Sequence, residues 1–441
     1  MTGTANTCWT APGSASHRGR MRTHRYCIVG AGAAGLAAVK VLTEQGFAVD
    51  CFERTDQVGG HWHTDYESLH LITSRDVSGF EDHPMPPEFP VYPSRDQMRA
   101  YIESFADRFD LRRHITFRTE VTRVGPEGPA GERGWWVSTS DGRRTRYDGV
   151  VVANGHLWDP NVPAIAADFT GLSLHSSQYR NVEDIKGDRV LVVGAGNSGC
   201  DLAVDAAMAR VATAISVRRG QVFQPKAIFG RPRAELRWLT RLPPVLQERV
   251  TRALVRVVVG PPEVYRGLPV PETRNLNDQP PVVNNLLLYW IQHGRIDVVP
   301  ALTRIDGQVV HFADGSAREF DTILWATGFR TTLPFLDPAL LRWEDGVPLR
   351  VAGLTVPVGL QRLYFVGLAA PRGPQLPVYS RQARLVARLL RLTERRGSIA
   401  GAFDRQVPDR RIDIVRPVWN HQMQATERLV ATLETALQKV S

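Results

Sequence analysis

The chain has 441 residues, 43% of them hydrophobic, which suits two or three domains around a buried core and excludes a disordered or fibrous protein. Lys and Arg number 54 against 45 Asp and Glu, but the +9 excess is scattered in pairs such as Arg218-Arg219 and Arg410-Arg411, without the long basic block of a nucleic-acid binder. Cys8, Cys27, Cys51 and Cys200 form neither a Cys-x-x-Cys pair nor a metal-binding spacing; this counts against a dithiol reductase, predicts no metal, and fits a reducing, cytoplasmic setting.

No continuous apolar run approaches the roughly 18 residues of a membrane span, so no integral membrane segment is expected. Residues 1–24 are rich in Thr, Ala, Ser and Gly and read as a disordered leader, with Met21 a candidate natural start. Arg25 to Val29 is then a strand, Gly30-Ala-Gly32-Ala-Ala-Gly35 a nucleotide fingerprint, Leu36 to Gln45 a helix closed by Gly46, and Phe47 to Phe52 a second strand. Glu53 ends that strand 23 positions beyond Gly30, where a carboxylate reaches a ribose hydroxyl. A Gly-x-Gly-x-x-Gly alone is weak evidence; strand, glycines, helix, strand and acid in this order point to a dinucleotide site.

The layout recurs after the segment Phe169 to Arg180. Val190 to Val193 is a short apolar strand of the buried parallel type, and Gly194-Ala-Gly196-Asn-Ser-Gly199 follows without a spacer. The first glycine permits the tight turn, the second lets backbone approach a pyrophosphate, and the third lets helix and strand pack closely. Ala212 to Val217 returns as a strand but ends in Arg218-Arg219, with Arg218 24 positions after Gly194, in the place Glu53 holds in the first unit. A carboxylate there would repel a 2′-phosphate, whereas a guanidinium binds it bidentately. The first site therefore suits a free ribose hydroxyl and the second suits NADPH; solvated surface arginines are the alternative.

Two fingerprints 164 residues apart predict an α/β fold in which a flavin domain is interrupted by a nicotinamide domain. Gly149 to Asn154 reads as a strand leaving the first domain and Asp321 to Ala326 as one re-entering it; each ends in a turn, Ala153-Asn154-Gly155-His156 and Ala326-Thr327-Gly328-Phe329, that lets backbone cross close to a ligand. Between them, Leu242 to Val259 reads as an amphipathic helix, with core or interface packing favoured over membrane contact. Asn285 to His293 is a helix, Arg295 to Val299 a strand, and Val309 to Phe312 with Arg318 to Phe320 a hairpin. Leu363 to Val366 is a strand, Gly367 to Pro377 a loop, Ser380 to Arg391 a helix, and Val418 to Val440 a polar amphipathic helix or two.

At this point the residues resemble the flavin-containing monooxygenases, the class B flavoprotein monooxygenases. Phe169-x-Gly171-x-x-x-His175-x-x-x-Tyr179-Arg180 is similar to that family's identifying sequence and stands just before the second glycines. Gly59-Gly60-His61-Trp62, Gly196-Asn197-Ser198-Gly199, Ala326-Thr327-Gly328-Phe329, Gly367-Leu368 and Gln382-Ala383-Arg384 extend the resemblance over about Tyr26 to Leu390. It implies two Rossmann-like domains, with an NADPH domain (159–319) inserted into a discontinuous FAD domain (25–158 and 320–441). It also implies that NADPH reduces FAD, that oxygen adds to the reduced flavin, and that the resulting flavin (hydro)peroxide inserts one oxygen atom into a small organic substrate while NADP stays bound. The absence of a catalytic triad agrees, since the cofactor does the hard chemistry.

Two departures bear on the substrate. Ile72, in Leu71-Ile72-Thr73-Ser74-Arg75, occupies the place of an Asn common in members that oxygenate amines and sulfides, and Tyr179-Arg180 replaces the Trp-Pro typical of Baeyer-Villiger members. N- or S-oxygenation leads, with 2-oxo acid or ketone oxidation open. A reductase passing electrons to a partner and a non-catalytic flavin-binding protein are the competing readings.

Asn197 and Ser198 are the candidate catalytic residues at the cofactor interface, although Ser198 also suits a helix cap. Arg75 is a further candidate, to bind a carboxylate substrate or steady an oxygenated flavin, and a surface salt bridge is its alternative. Trp62, Ser74, Thr327, Gly328 and Gln375 join the glycines, Glu53, Arg218 and Arg219 as candidate cofactor contacts, and Trp325 reads as core. His175 is expected either to orient NADP or to brace the domain joint. The expected partners are a small-molecule substrate and O2, with no nucleic acid; a homodimer is an open expectation.

Overall fold

The computed structural model describes residues 24–236, 239, 242, 244–273 and 279–439; the expected leader, except His24, lies outside them. The chain opens with β1 (Arg25–Val29), α1 (Ala33–Glu44) and β2 (Ala48–Phe52). Helix α2 (Arg95–Arg108) starts on a capping box in which Ser94 and Gln97 satisfy each other's backbone N–H groups. Strands β3 (Ile115–Thr116) and β4 (Gly149–Val152) complete this part. A short β5 (Asp159–Pro160) leads to β6 (Leu172–His175), β7 (Arg189–Val193), α3 (Asn197–Met208) and β8 (Ala212–Ser216). Then come α4 (Pro244–Val259), α5 (Leu286–Gln292), β9 (Ile296–Val299), β10 (Thr322–Trp325), β11 (Phe329–Arg330), β12 (Leu363–Phe365), α6 (Leu376–Arg396) and α7 (Arg416–Gln438).

The main strands form two five-stranded parallel sheets. The first has the order β12-β4-β1-β2-β3 and the second β9-β8-β7-β10-β6. Parallel strands covered on both faces must be apolar throughout, as the fully buried Val150–Val152 and Ile323–Trp325 are. α1 packs on α6, whose buried Leu385, Val386, Leu389 and Leu390 recur at helical spacing. α6 starts at Leu376 rather than Ser380, because Pro377 sits in the first turn, where its missing N–H costs nothing.

One strand departs from the expectation. Residues 321–326 were expected to re-enter the first domain; instead β10 pairs with β7 and β6 inside the second sheet. The reason is a repeat longer than the fingerprints. In the first unit an antiparallel three-stranded meander (residues 121–147) feeds β4, which pairs with β1; in the second a meander (residues 302–319) feeds β10, which pairs with β7. β10 is thus the counterpart of β4, and the chain rejoins the first sheet only at β12.

The outgoing and returning chains run side by side: β5 and β11 pair antiparallel, Phe329 opposite Pro160 and Arg330 opposite Asp159. The Thr327 hydroxyl donates to Asn161 O at 2.7 Å, Asn161 N–H donates to Gly328 O at 2.9 Å, and Asn154 Nδ2 donates to Thr332 O at 3.1 Å. Among the described residues no helix is long and apolar enough to cross a membrane, and no group of three or more His, Cys, Asp or Glu side chains is placed to hold a metal ion.

Candidate functional site

The first glycine turn is built so that nothing but glycine fits. Gly30 has φ 97°, and a Cβ there would lie 2.9 Å from Ala153 O; one on Gly35 would lie 1.9 Å from Gly30 O. A Cβ on Gly60 would lie 3.4 Å from the Gly32 Cα, so two bare backbones face each other across the start of α1. That cradle, at the N-terminus of a 12-residue helix, fits a pyrophosphate. The buried Glu53 aims its carboxylate at the same turn: Oε2 accepts from Ala31 N–H at 2.8 Å, and Oε1 accepts from the Thr55 N–H and hydroxyl, each at 2.9 Å. A carboxylate offers about four acceptor positions, so about one remains for a ribose hydroxyl.

Around this turn, Gly367 approaches Ala34 so closely that a Cβ on it would lie 2.6 Å from the alanine methyl, which brings the C-terminal loop to the start of α1. Trp62 packs half-buried on the first core beside His61. Burial opposes a charge on His61, and Asp65 Oδ2, 2.5 Å away, overcomes it and raises the pKa. His156 goes the other way: burial pushes it down to about 4, so its ring is neutral at pH 7. Ser74 is 1% exposed with an unsatisfied hydroxyl, and Gln375 Oε1, at the start of α6, is likewise buried without a partner. Buried polar atoms left over in this way suit a polar ligand rather than a packed core. Arg75 does not extend the set: Asp76 and the Phe89 carbonyl hold its guanidinium, the salt-bridge alternative.

The second turn repeats the geometry, with Gly194 at φ 107° and a Gly199 Cβ 1.9 Å from Gly194 O. Gly196 is exposed with nothing within 4 Å of its Cβ position. Asn197 and Ser198 open α3; Asn197 Oδ1 accepts from Val283 N–H at 2.8 Å, and the cap position is Gly196, with Ser198 inside the first turn. Arg218 and Arg219 are exposed, and their guanidiniums have no hydrogen-bond or ion-pair partner among the described residues. Two free guanidiniums at the end of β8, opposed to the buried carboxylate at the end of β2, fit a 2′-phosphate.

His175 presents no free nitrogen to a cofactor. Its Nε2 lies 3.0 Å from Gly328 O, which can only accept, so Nε2 carries the proton and Nδ1 accepts from Ser177 N–H at 3.2 Å. Burial lowers its pKa and keeps the ring neutral, and its contacts to Gly328 and Ser177 are those of a brace at the domain joint. Tyr179 OH donates to Asp205 Oδ2 on α3 at 2.7 Å, and the next residues cross to the first unit: Glu67 N–H donates to Arg180 O at 2.8 Å, and Asn181 Nδ2 donates to Glu67 Oε2 at 3.1 Å. Thr327 and Gly328 serve the ribbon through Asn161 and His175, while Trp325 is core, its indole N–H donating to Ser173 Oγ at 2.8 Å.

Three residues that sequence reasoning did not single out meet on α3. Asp201 accepts from Tyr66 OH at 2.9 Å and from Asn284 Nδ2 at 2.7 Å. Burial pushes its pKa up to about 6, against the opposing pull of those two bonds and of Lys226 and His70. Tyr66, 4% exposed, also lies near enough to the Ser198 hydroxyl to feel it, so the segment after Trp62 touches the first turn of the second nucleotide helix. Cys27, Cys51 and Cys200 are free and buried, and burial raises each thiol well above its usual pKa, so none is a ready redox partner.

Comparison with known proteins agrees with this arrangement. The family described as flavin-binding monooxygenase-like matches residues 23–403. Dimethylaniline monooxygenase (N-oxide-forming) 2 of Oryctolagus cuniculus is 30% identical over 395 residues, 83% of this chain and 73% of that protein. Flavin-containing monooxygenase 1 of Homo sapiens is 30% identical over 395 residues, covering 83% and 74%. Among solved structures, the NADP+-bound cyclohexanone monooxygenase of Rhodococcus sp. Phi1 has a TM-score of 0.69 at 20% identity, covering 93% of this chain and 98% of that one. The S-allyl-L-cysteine S-oxygenase of Allium sativum has a TM-score of 0.60 at 22% identity, covering 93% and 82%. These likenesses establish the shared fold. With the family matched over most of its length, the chain belongs to the flavin-binding monooxygenase-like family and is an NADPH-dependent flavin-containing monooxygenase whose cofactors are FAD and NADPH.

Proposed function

We propose that this enzyme transfers one oxygen atom of O2 to a nucleophilic nitrogen or sulfur of a small organic substrate, with FAD at the Gly30 turn and NADPH at the Gly194 turn. The observation that carries the assignment is the contrast between the two strand ends: a buried carboxylate at Glu53, and exposed guanidiniums at Arg218 and Arg219 that have no ion-pair partner among the described residues. Gly30, Gly32, Gly35 and Gly60 would admit the flavin pyrophosphate and Glu53 its ribose; Trp62, Ser74 and Gln375 are the side chains available to the rest of the cofactor. Asn197 and Ser198, at the start of α3, would face the nicotinamide. Bound FAD supplies the redox chemistry with oxygen. The protein binds, orients and excludes water, which agrees with a site poor in acid and base groups. Nitrogen as the target is supported by relatives near 30% identity such as dimethylaniline monooxygenase 2, whose name records N-oxide formation.

The test offers the loaded enzyme NADPH and oxygen-18 gas with dimethylaniline, methyl phenyl sulfide, cyclohexanone or phenylpyruvate, and weighs the products by mass spectrometry. One labelled atom in the N-oxide or sulfoxide is expected. Label in the lactone alone overturns the substrate class, and NADPH consumption without labelled product overturns the oxygenase reading.

A further inference from the structure

One cavity belongs to neither nucleotide turn. It encloses about 360 Å³ between α4 and the segment that follows Arg219, and no residue of Gly30–Gly35 or Gly194–Gly199 lines it. That volume is in the range of small-molecule pockets. Phe223, Val255, Val259, Leu268 and Leu288 make its walls mostly apolar. Two polar features interrupt them. At depth lies Gln224, 2% exposed, its amide oxygen without a hydrogen-bond partner. At the mouth lie Arg249, Arg252 and Arg256, all exposed and spaced three and four positions apart along α4, against one carboxylate among the described lining residues, Glu263.

A buried amide oxygen with no partner asks for a donor, and a rim of three cations against one anion asks for negative charge. We propose that this cavity binds an amphipathic organic monocarboxylate: its carboxylate on the α4 arginines, its apolar body against Phe223, Val255 and Leu288, and a hydrogen-bond donor at its far end on Gln224. The site is wired to the nicotinamide helix. Gln224 N–H donates to Val282 O at 2.8 Å, and the next residue, Val283, donates to Asn197 Oδ1 at 2.8 Å. An occupant pressing on this wall therefore acts one residue away from the group that fixes Asn197.

Calorimetry on the enzyme loaded with FAD and NADP+ tests the proposal, with ω-hydroxydecanoate, decanoate, decanol and decyltrimethylammonium as probes. Binding is read directly, so the outcome is independent of which atom the enzyme oxygenates. ω-Hydroxydecanoate is expected to bind tightest, decanoate next, and the cation not at all. Arg249→Gln and Arg256→Gln should each weaken the two carboxylates about tenfold while sparing decanol. Gln224→Leu should erase the advantage of the hydroxylated probe and leave decanoate unchanged, and Val255→Trp should abolish binding with NADP+ affinity intact. Equal binding of decanoate and decyltrimethylammonium, or undiminished binding by the Val255→Trp protein, overturns the assignment.

Discussion

Arg218→Ala removes one of two guanidiniums that stand exposed at the end of β8 and strands no partner among the described residues. Its effect is on the nucleotide alone. A hydrogen bond to a charged group contributes about 1.5–3 kcal/mol, and solvent screening at an exposed site selects the lower end. A loss of about 1.5 kcal/mol is about a tenfold rise in the Kd and KM for NADPH. Arg219→Ala should behave alike, and the double variant should lose about a hundredfold if the two contacts add. NADH, which lacks the 2′-phosphate, should change less than about twofold, so the NADPH preference collapses. Calorimetric titration of NADP+ and NAD+, with steady-state KM values for the reduced forms, measures the contrast. Equal weakening of both nucleotides, or no change in either, would falsify the assignment of the second turn to the phosphorylated one.

Asp201→Asn tests a charge held uncomfortably. Because burial raises the carboxyl from 3.8 to about 6, its ionisation destabilises the fold as pH climbs through that window, by about 1–3 kcal/mol once complete. The variant's melting temperature should match the parent's near pH 4 and exceed it above pH 6; a constant difference across that range refutes the shift. Replacing His175 by Ala, or Tyr179 by Phe, cuts the bonds to Gly328 or Asp205 and should raise the hydrogen peroxide released per NADPH consumed. An unchanged peroxide yield would make the segment a hinge without influence on coupling. Gly199→Ala places a methyl 1.9 Å from Gly194 O; NADP+ binding should be lost while bound FAD, followed by its visible absorbance, is retained. Simultaneous loss of flavin would show that the two turns do not fold independently.

The glycine turns, their helices and their charged strand ends were legible because each is a local pattern with its own steric reason. Gly35 and Gly199 must be bare to let a carbonyl pass, and Glu53 and Arg218 sit at a fixed distance along the chain from their glycines. Residues 321–326 were legible as a strand and not as a member of the second sheet, since hydrophobicity announces burial but not a neighbour. The cue was there in the matching turns after Ala153 and Ala326, together with the meander ahead of each strand. Tyr66, Asp201 and Asn284 could not be found locally: their bonds join residues 135 and 83 positions apart, and each alone is an ordinary polar residue. Arg75 shows the reverse, a residue marked for chemistry by its neighbours in sequence whose guanidinium is held by Asp76 and Phe89.

The β5–β11 ribbon limits how the two nucleotide sites can move. Entry and exit share one pair of hydrogen-bonded strands, so the inserted unit rides on a stalk with few degrees of freedom. Twisting about the stalk axis keeps the pairing, whereas sliding one crossing past the other breaks it together with the Asn161 and His175 bonds to Gly328. Gly155 and Gly328, with φ of 73° and 83°, stand at this end of the stalk as natural pivots. A rotation about this stalk would also have to release the Tyr66–Asp201 and Glu67–Arg180 bonds, so these contacts hold the two units in one relative setting until they break.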